Sequence, residues 1–321
     1  MAYRFRKKES VTAAVRRIMR EEIDHAVDEL KGAVAGRPKG LHEARKRIKK
    51  LRSLIRLVSA RLDRTGKQAI ALLTAATRPL SGLRDAQAMV EAFDTLTASK
   101  MNAAKTQAYA PLRQRLIERR DAPHESEAQG AALIATPIDQ LREVRAMSQQ
   151  WTIRPNGFGA LSRGLRKSYA QAIDAMQLAM SSPSDEHFHE WRKHVKHHWY
   201  HLRLLRGLWP KLMIATAIEL GGLSDLLGDD HDLAVMRQWM QKESPVEGLD
   251  RDELMQMIND RKQQLHPMAR TLGQRLFAEK PKAIMRRLRA YWQAWHGEQW
   301  KPETVMMNVL AAETKTDADS T

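Results

Sequence analysis

The sequence predicts an all-α protein, on three observations. Aromatic residues make up only 6% of the chain, and Gly (16 residues) and Pro (12 residues) are sparse among 321 residues. Ala, Leu, Arg, Gln and Met are plentiful, and these residues favour helices over strands. Apolar residues recur at helical spacing between recognisable breaks, and a long segment repeats within the chain. With 43% hydrophobic residues, the chain can bury a sizeable core.

The predicted helices follow one another between turn-forming segments. Gly36-Arg37-Pro38 ends the first helix, Arg154-Pro155-Asn156-Gly157 separates the fifth from the sixth, and Ser181-Ser182-Pro183 and Ser244-Pro245 end the sixth and the eighth. Residues after about 310 are small and polar, so we expect 301–321 to be a flexible polar tail. The ten helices are predicted near 9–35, 41–64, 66–98, 102–121, 125–149, 158–180, 184–208, 211–241, 249–272 and 280–296.

An internal repeat divides the chain into two related halves. The segment His42-Glu43-Ala44-Arg45-Lys46-Arg47-Ile48-Lys49 matches His189-Glu190-Trp191-Arg192-Lys193-His194-Val195-Lys196 at a displacement of 147 residues. The same displacement aligns Arg84-Asp85 with His231-Asp232, Arg56 with Arg203 and Arg16 with Arg163. We therefore predict a duplicated helical unit, with halves at 1–152 and 153–300 that each bury their own apolar faces.

The charge balance indicates an anionic partner. The chain has 54 Lys and Arg against 38 Asp and Glu, a formal charge of +16 and a pI near 10.1. Such an excess speeds encounter with anions and opposes compaction unless an anion is bound. With no Cys, disulfides, thiolate zinc sites and cysteine nucleophiles are excluded. No stretch is apolar enough for a signal peptide or a spanning helix, so we expect a cytoplasmic protein.

Two of the predicted helices carry a row of cations on one face and apolar residues on the other. Eight Lys or Arg lie between Leu41 and Arg61, against the single acid Glu43, over about 30 Å of helix. Like charges repel at this spacing. A linear chain of phosphates suits the geometry of the row and would neutralise its charges. The first row contains His42, Arg45, Lys46, Lys49, Arg52, Ser53 and Arg56, and the second His189, Arg192, Lys193, Lys196, Tyr200 and Arg203.

Further cations lie on the first helix of each half. Arg16 and Arg20 are matched by Arg163 and Lys167, one helical turn apart, and we include them as candidates that face the same groove. A role as surface charges that keep the protein soluble explains them equally well.

The histidines and carboxylates favour structural roles. Six of the twelve histidines lie within 187–201, yet the His-Glu-x-x-His zinc pattern is absent, and His198 falls on the apolar side of its helix. We expect it to be a core imidazole, and we expect no metal and no cofactor. Asp85 and Asp232 each follow a basic residue, which favours orienting cations over acid catalysis. With no nucleotide-cradling Gly-rich loop either, we expect no enzymatic activity.

Two other classes of function stay open. Basic helices also bind nucleic-acid backbones, and Trp191, Trp199 and Tyr200 offer aromatic surface for bases, although Trp191 falls on the apolar side. Met and Trp residues near 236–257 and 291–300 fit a helical scaffold that docks a partner or a second copy.

The duplicated His-Glu-x-Arg-Lys-x-x-Lys segment, followed about 40 residues later by Arg-Asp or His-Asp, resembles the CHAD domain, the conserved histidine α-helical domain. The resemblance spans roughly residues 5–295. It implies two four-helix bundles, related by a pseudo-two-fold axis, around a basic central groove or pore that binds inorganic polyphosphate without catalysis. The positions carried over are His42, Arg45, Lys46 and Lys49 in the first half and His189, Arg192, Lys193 and Lys196 in the second.

The chain departs from the family pattern in its second half. Trp199 stands where the first half has Arg52, and extra histidines surround it, so we expect unequal contributions from the two halves. The resemblance also implies polyphosphate granules, or polyphosphate-metabolising proteins, as surroundings. We expect no fused catalytic domain, so any catalytic partner is a separate chain.

Overall fold

The computed structural model describes residues 3–37, 39–80, 82–98, 107–121, 127–242 and 250–297, without the side chains of 82–86, 120–121 and 127–131. These residues form α-helices, a single 3-10 turn at Ser59–Arg61 and no strand, which confirms the all-α prediction. Within the same residues, no helix combines the length and apolar character needed to cross a bilayer.

Eleven helices make up the described part of the chain, and side chains cap several of them. Ser10, Ser184 and Asp250 accept hydrogen bonds from backbone N–H groups of the helices that follow them, as N-cap residues do. The helices are α1 (Val11–Val34), α2 (Gly40–Val58), α3 (Arg64–Thr77), α4 (Gly82–Ala98), α5 (Ala110–Asp121), α6 (Glu127–Gln150), α7 (Phe158–Ser181), α8 (Asp185–Leu204), α9 (Pro210–Lys242), α10 (Arg251–Leu276) and α11 (Pro281–Gly297).

The bounds of some helices follow the sequence repeat, and those of others differ. Moved by 147 residues, α1 covers 158–181, which are the bounds of α7. The prediction of one helix over 66–98 is wrong, because α3 ends at Thr77 and α4 begins at Gly82. Pro79 lies in the break, and proline removes a helical hydrogen bond and clashes with the preceding turn. Its counterpart is Leu226, and α9 runs through that position unbroken.

Two hydrophobic cores hold the helices together, and they do not follow the two halves of the sequence. The larger core joins α1, α2, α3 and α6 to α7, α8, the start of α9 and α11. In the smaller core, α4 and α5 pack against the end of α9 and against α10. The halves therefore share their cores, contrary to the expectation that each buries its own apolar faces. The boundary at 152/153, the two four-helix bundles and the pseudo-two-fold axis stay predictions.

Helix α2 lies against both α7 and α8 of the other half. At the crossing with α7, a Cβ built on Gly164 would stand 2.0 Å from the carbonyl oxygen of Leu57. Only a residue without a side chain allows the two backbones to approach this closely. Gly164 thus sets the distance at which the first half meets the second.

A buried hydrogen-bond network joins the halves beside this crossing. The Ser168 hydroxyl lies 3.1 Å from His198 Nδ1 and 2.9 Å from His201 Nδ1, and His201 Nε2 donates to the Ser53 carbonyl oxygen at 2.9 Å. Both rings are buried, which confirms the prediction of a core imidazole for His198. Burial lowers the pKa of His198 to about 3 and that of His201 to about 4. Burial, and then the nearby Arg56 guanidinium, lowers the pKa of His197 to about 2.

We predict that Gly164→Ala destabilises the protein by more than about 2 kcal/mol, because the added methyl group has to push α7 away from the Leu57 carbonyl. Urea denaturation followed by circular dichroism measures the change. Gly222→Ala in α9 is the matched control, because its Cβ would meet its nearest atom only at 3.9 Å. The control should be neutral or stabilising, since Ala has the higher helix propensity. Equal stability of the two variants would contradict the proposed close approach.

We also predict that stability falls as the pH is lowered from about 6.5 towards 4. The unfolded chain titrates its histidines near pH 6.5, whereas His197, His198 and His201 stay neutral in the fold, so the unfolded state binds more protons. Each such histidine adds a slope approaching about 1.4 kcal/mol per pH unit inside this window. The free energy of unfolding, measured in urea at several pH values, should show this slope. It should be shallower in a His198→Asn, His201→Gln variant, and a slope unchanged by the substitutions would refute the assignment.

Candidate functional site

A cavity of about 320 Å³ lies between α2 and α8, with α4 and α9 completing its wall. We call it the α2/α8 cavity. Among the described side chains, six Lys or Arg and three His line it, against one carboxylate, that of Asp232. Its lining residues are His42, Arg45, Lys46, Lys49, Ala88, Met89, His189, Arg192, Lys196, Trp199, Tyr200, Arg203, His231, Asp232 and Val235.

The two halves contribute equivalent positions to this cavity. Four pairs of lining residues are related by the displacement of 147 residues found in the sequence, and both members of each pair face the same space. The rows of cations on α2 and α8 therefore meet across one hollow. The pairs are His42 with His189, Arg45 with Arg192, Lys49 with Lys196, and Ala88 with Val235.

The helical repeat explains why these side chains share a face. His42, Arg45 and Lys49 follow one another at intervals of three and four residues, which places them on one side of α2. The opposite side carries Ala44, Ile48, Leu51, Ile55 and Val58, all fully buried. In α8, Trp191, Val195 and Leu202 are buried in the same way behind the cationic row, as is Leu205 directly after the helix. Because the apolar side of each helix is buried, the cationic row on its other side faces the α2/α8 cavity.

The structure separates the predicted rows into residues that line the cavity and residues that do not. Lys46 lines it and also pairs with Glu43 at 2.7 Å, whereas its counterpart Lys193 pairs with Glu190 at 2.6 Å and is not a lining residue. Arg52 and Arg56 also lie outside the lining, and Arg56 Nη1 is 3.0 Å from His197 Nε2. The lining part of α2 runs from residue 42 to 49, about 10 Å rather than the expected 30 Å.

Some cations of α2 that the sequence left unbalanced have acidic partners on α1. The carboxylate of Glu22, which is buried, lies 3.2 Å from Arg47 Nη1 and 3.2 Å from Lys50 Nζ. These two cations bind α2 to α1 and do not line the cavity. Charge counting along one helix missed this pairing, because the acid comes from a neighbouring helix.

The four candidates on the first helix of each half do not line the α2/α8 cavity. Arg16 donates a hydrogen bond from Nε to the Trp151 carbonyl oxygen at 2.9 Å, and Arg20 is exposed on α1. Arg163 and Lys167 line a separate groove between α7 and α11. Contrary to the expectation, the structure does not place these four residues in the same groove as the two rows.

Sequence reasoning did not include His231, Asp232 or Trp199 in the two rows of candidate binding residues. His231 Nδ1 lies 3.1 Å from His189 Nδ1, so the two imidazoles form one pair inside the cavity. The sequence repeat could have identified His231 and Asp232, because it aligns them with Arg84-Asp85. The side chains of that first-half pair lie outside the described residues.

Aromatic side chains form one end of the cavity. The Arg203 guanidinium lies 4.7 Å from the centre of the Trp199 ring, and the Trp199 and Tyr200 ring centres are 4.9 Å apart. Trp199 Nε1 donates to the Ala217 carbonyl oxygen at 2.8 Å, which fixes the indole against α9. A cation–π contact with the Trp199 ring therefore holds the Arg203 guanidinium in place at this end of the cavity.

The electrostatics of the cavity favour neutral histidines when no anion is present. Burial, followed by the charges of Arg192 and Lys193, lowers the pKa of His189. Burial, followed by His189 and Arg192, lowers the pKa of His231 to about 4. Arg supplies forked donors and Lys a point charge, so the lining is suited to binding several phosphoryl oxygens at once. In the part of the chain with described side chains, no group of three or more His, Cys, Asp or Glu is arranged to hold a metal ion.

The comparison with protein-family models identifies the family of this chain. The family model of the CHAD domain matches residues 17–241, well over half of the chain, and this range contains both His-Glu motifs and all fifteen residues of the cavity lining. No curated protein matches the chain. On the strength of the family match, the chain belongs to the CHAD domain family.

Proposed function

We propose that this protein binds inorganic polyphosphate in the α2/α8 cavity and does not itself transform it. The observation that carries the proposal is the convergence of the two cationic rows, from equivalent positions of the two halves, on one cavity. A chain of phosphates repeats its negative charge at short intervals, so it can contact both rows together and relieve their mutual repulsion. The family resemblance supports polyphosphate granules, or polyphosphate-metabolising proteins, as the surroundings of this activity.

The extent of the lining favours a polymer over a small phosphate compound. On α8 the lining residues run from His189 to Arg203, a length of about 21 Å along the helix. Binding groups spread over this distance suit a ligand with many phosphates.

A phosphate chain without bases fits the cavity better than a nucleic acid. Trp191 is fully buried, and Arg203 covers one face of the Trp199 ring, so neither indole is fully open for base stacking. The absence of a catalytic role is proposed on the chemistry of the lining. Among the described side chains, its single carboxylate is that of Asp232, which stands among cations and so suits orienting them more than proton transfer.

We predict that replacing two matched pairs of cations removes the tightest binding of polyphosphate. A variant with Arg45, Lys49, Arg192 and Lys196 changed to Ala removes four positive charges from the cavity, and its affinity for long-chain polyphosphate should fall by at least about a hundredfold. Fluorescence anisotropy at physiological salt measures the affinity, with single- and double-stranded DNA and RNA as competitors.

The matched control changes Lys31, Arg64, Lys67 and Arg270 to Ala. These four cations are exposed and outside the cavity lining, so the control has the same net charge as the cavity variant. Its affinity should stay close to that of the wild type. If the two variants lose affinity equally, binding depends on net charge alone and the cavity has no special role. If nucleic acid displaces polyphosphate from the wild type, the polymer is misidentified.

We predict that polyphosphate binds more tightly as the pH falls from about 7 to 5. A bound polyanion raises the lowered pKa values of His189 and His231, so binding takes up protons and is favoured by acid. Titrations across this range measure the dependence, with circular dichroism to confirm that the protein stays folded. A His189→Gln, His231→Gln variant should bind with a flatter pH profile. A wild-type affinity that does not change with pH would show that neither imidazole senses the ligand.

A further inference from the structure

A second concentration of positive charge lies between α7 and α11. Two adjoining hollows of about 540 and 640 Å³ share three of their lining residues, Arg163, Arg166 and Lys282, and so form one open groove, which we call the α7/α11 groove. It shares no lining residue with the α2/α8 cavity. Its cations are Arg163, Arg166, Lys167, Lys280, Lys282, Arg286 and Arg289.

The charge of this groove is of one sign. Among the described residues, the two hollows have seven Lys or Arg in their lining and neither Asp nor Glu. All seven side chains are exposed, and none forms an ion pair with a residue whose side chain is described. The neighbouring carboxylate of Glu279 is paired with Arg287, which lies outside the groove. An ordinary surface mixes charges of both signs, because uncompensated like charges repel.

The first half of the molecule provides an internal comparison. Helices α1 and α6 pack together as α7 and α11 do, and α6 moved by 147 residues ends where α11 ends. At the positions equivalent to Arg166 and Arg286, the first half has the buried Met19 and the acid Asp139. Asp139 pairs with Arg142 at 3.2 Å, and Arg145 on the same helix pairs with Asp24 of α1 at 2.8 Å. At these two positions the positive charge is thus specific to the second half, whereas Arg163 and Lys167 have the basic counterparts Arg16 and Arg20 in the first half.

We infer that the α7/α11 groove is a second, independent binding site for a phosphate polymer, so that one protein molecule holds two polyphosphate segments. The inference rests on the proposed function for the identity of the ligand. The cations of α11 extend from Lys282 to Arg289, about 10 Å along the helix, and those of α7 lie opposite them, which suits several consecutive phosphates.

The lining of the groove favours a polymer without bases. Among the described residues, no aromatic side chain lines the groove, so these residues offer no platform on which bases could stack. A ring that contacts one of its cations is that of Phe158, 5.6 Å from the Arg289 guanidinium, and this phenylalanine is buried. The described lining therefore offers charged groups for phosphoryl oxygens and none for bases. Two sites on one molecule would let the protein join separate polyphosphate chains, since each site engages its own segment.

Isothermal titration calorimetry with a short polyphosphate of uniform chain length tests the inference through stoichiometry. We expect the wild type to bind two chains per molecule. A groove variant, Arg166→Glu, Lys282→Glu and Arg286→Glu, should bind one, and the alanine variant of Arg45, Lys49, Arg192 and Lys196 should bind one at the groove. A control with Arg64, Lys67 and Arg270 changed to Glu carries the same change of charge on exposed residues elsewhere and should still bind two.

The outcomes separate this inference from the proposed function. If the wild type binds a single chain, or the groove variant keeps both, the second site does not exist. If the groove variant binds one chain while the cavity variant still binds two, the groove is a site and the α2/α8 cavity is not. A parallel titration with short duplex DNA tests whether the groove binds nucleic acid instead of polyphosphate. If the groove variant loses DNA binding but keeps two polyphosphate chains, the groove serves nucleic acid and the inference is wrong.

Discussion

The burial of the apolar sides of α2 and α8 holds two rows of like charge beside each other. Electrostatic repulsion between the cations of α2 and those of α8 acts to drive the two helices apart across the cavity. Fully buried residues such as Ile48, Leu51 and Trp191 anchor the helices from behind, and the tight crossing at Gly164 fixes α2 against the second half. The energy of the core thus maintains an arrangement that the charges oppose, and an anion between the rows is the natural complement.

The sequence predicted the parts of the site that depend on one helix or on the repeat. Helical spacing placed His42, Arg45 and Lys49 on one face, and the displacement of 147 residues predicted their partners His189, Arg192 and Lys196. Contacts between helices that are not related by the repeat could not be predicted from helical spacing or from the displacement. The pairing of Glu22 with Arg47 and Lys50, and the position of Arg163 on another face, depend on how helices pack together.

The same limit explains the errors about the fold. A helical pattern continues through 66–98, and the effect of Pro79 is to separate α3 from α4 rather than to bend one helix. The break lets α4 leave α3 and lie against the end of α9, its own equivalent in the second half. Periodicity shows which side of a helix is apolar, yet it does not show which helix covers that side. The two shared cores therefore became visible only in three dimensions.

The packing of α4 across the halves also bears on how the chain unfolds. Met89, Val90 and Phe93 of α4 share their core with α5 of the same half and with residues of α9 and α10 of the other half. Because this core and the larger core both span the two halves, neither half can unfold without exposing apolar surface of the other. The repeat in the sequence is therefore not a repeat of independent folding units, and a fragment that ends between α6 and α7 would leave both cores open to water.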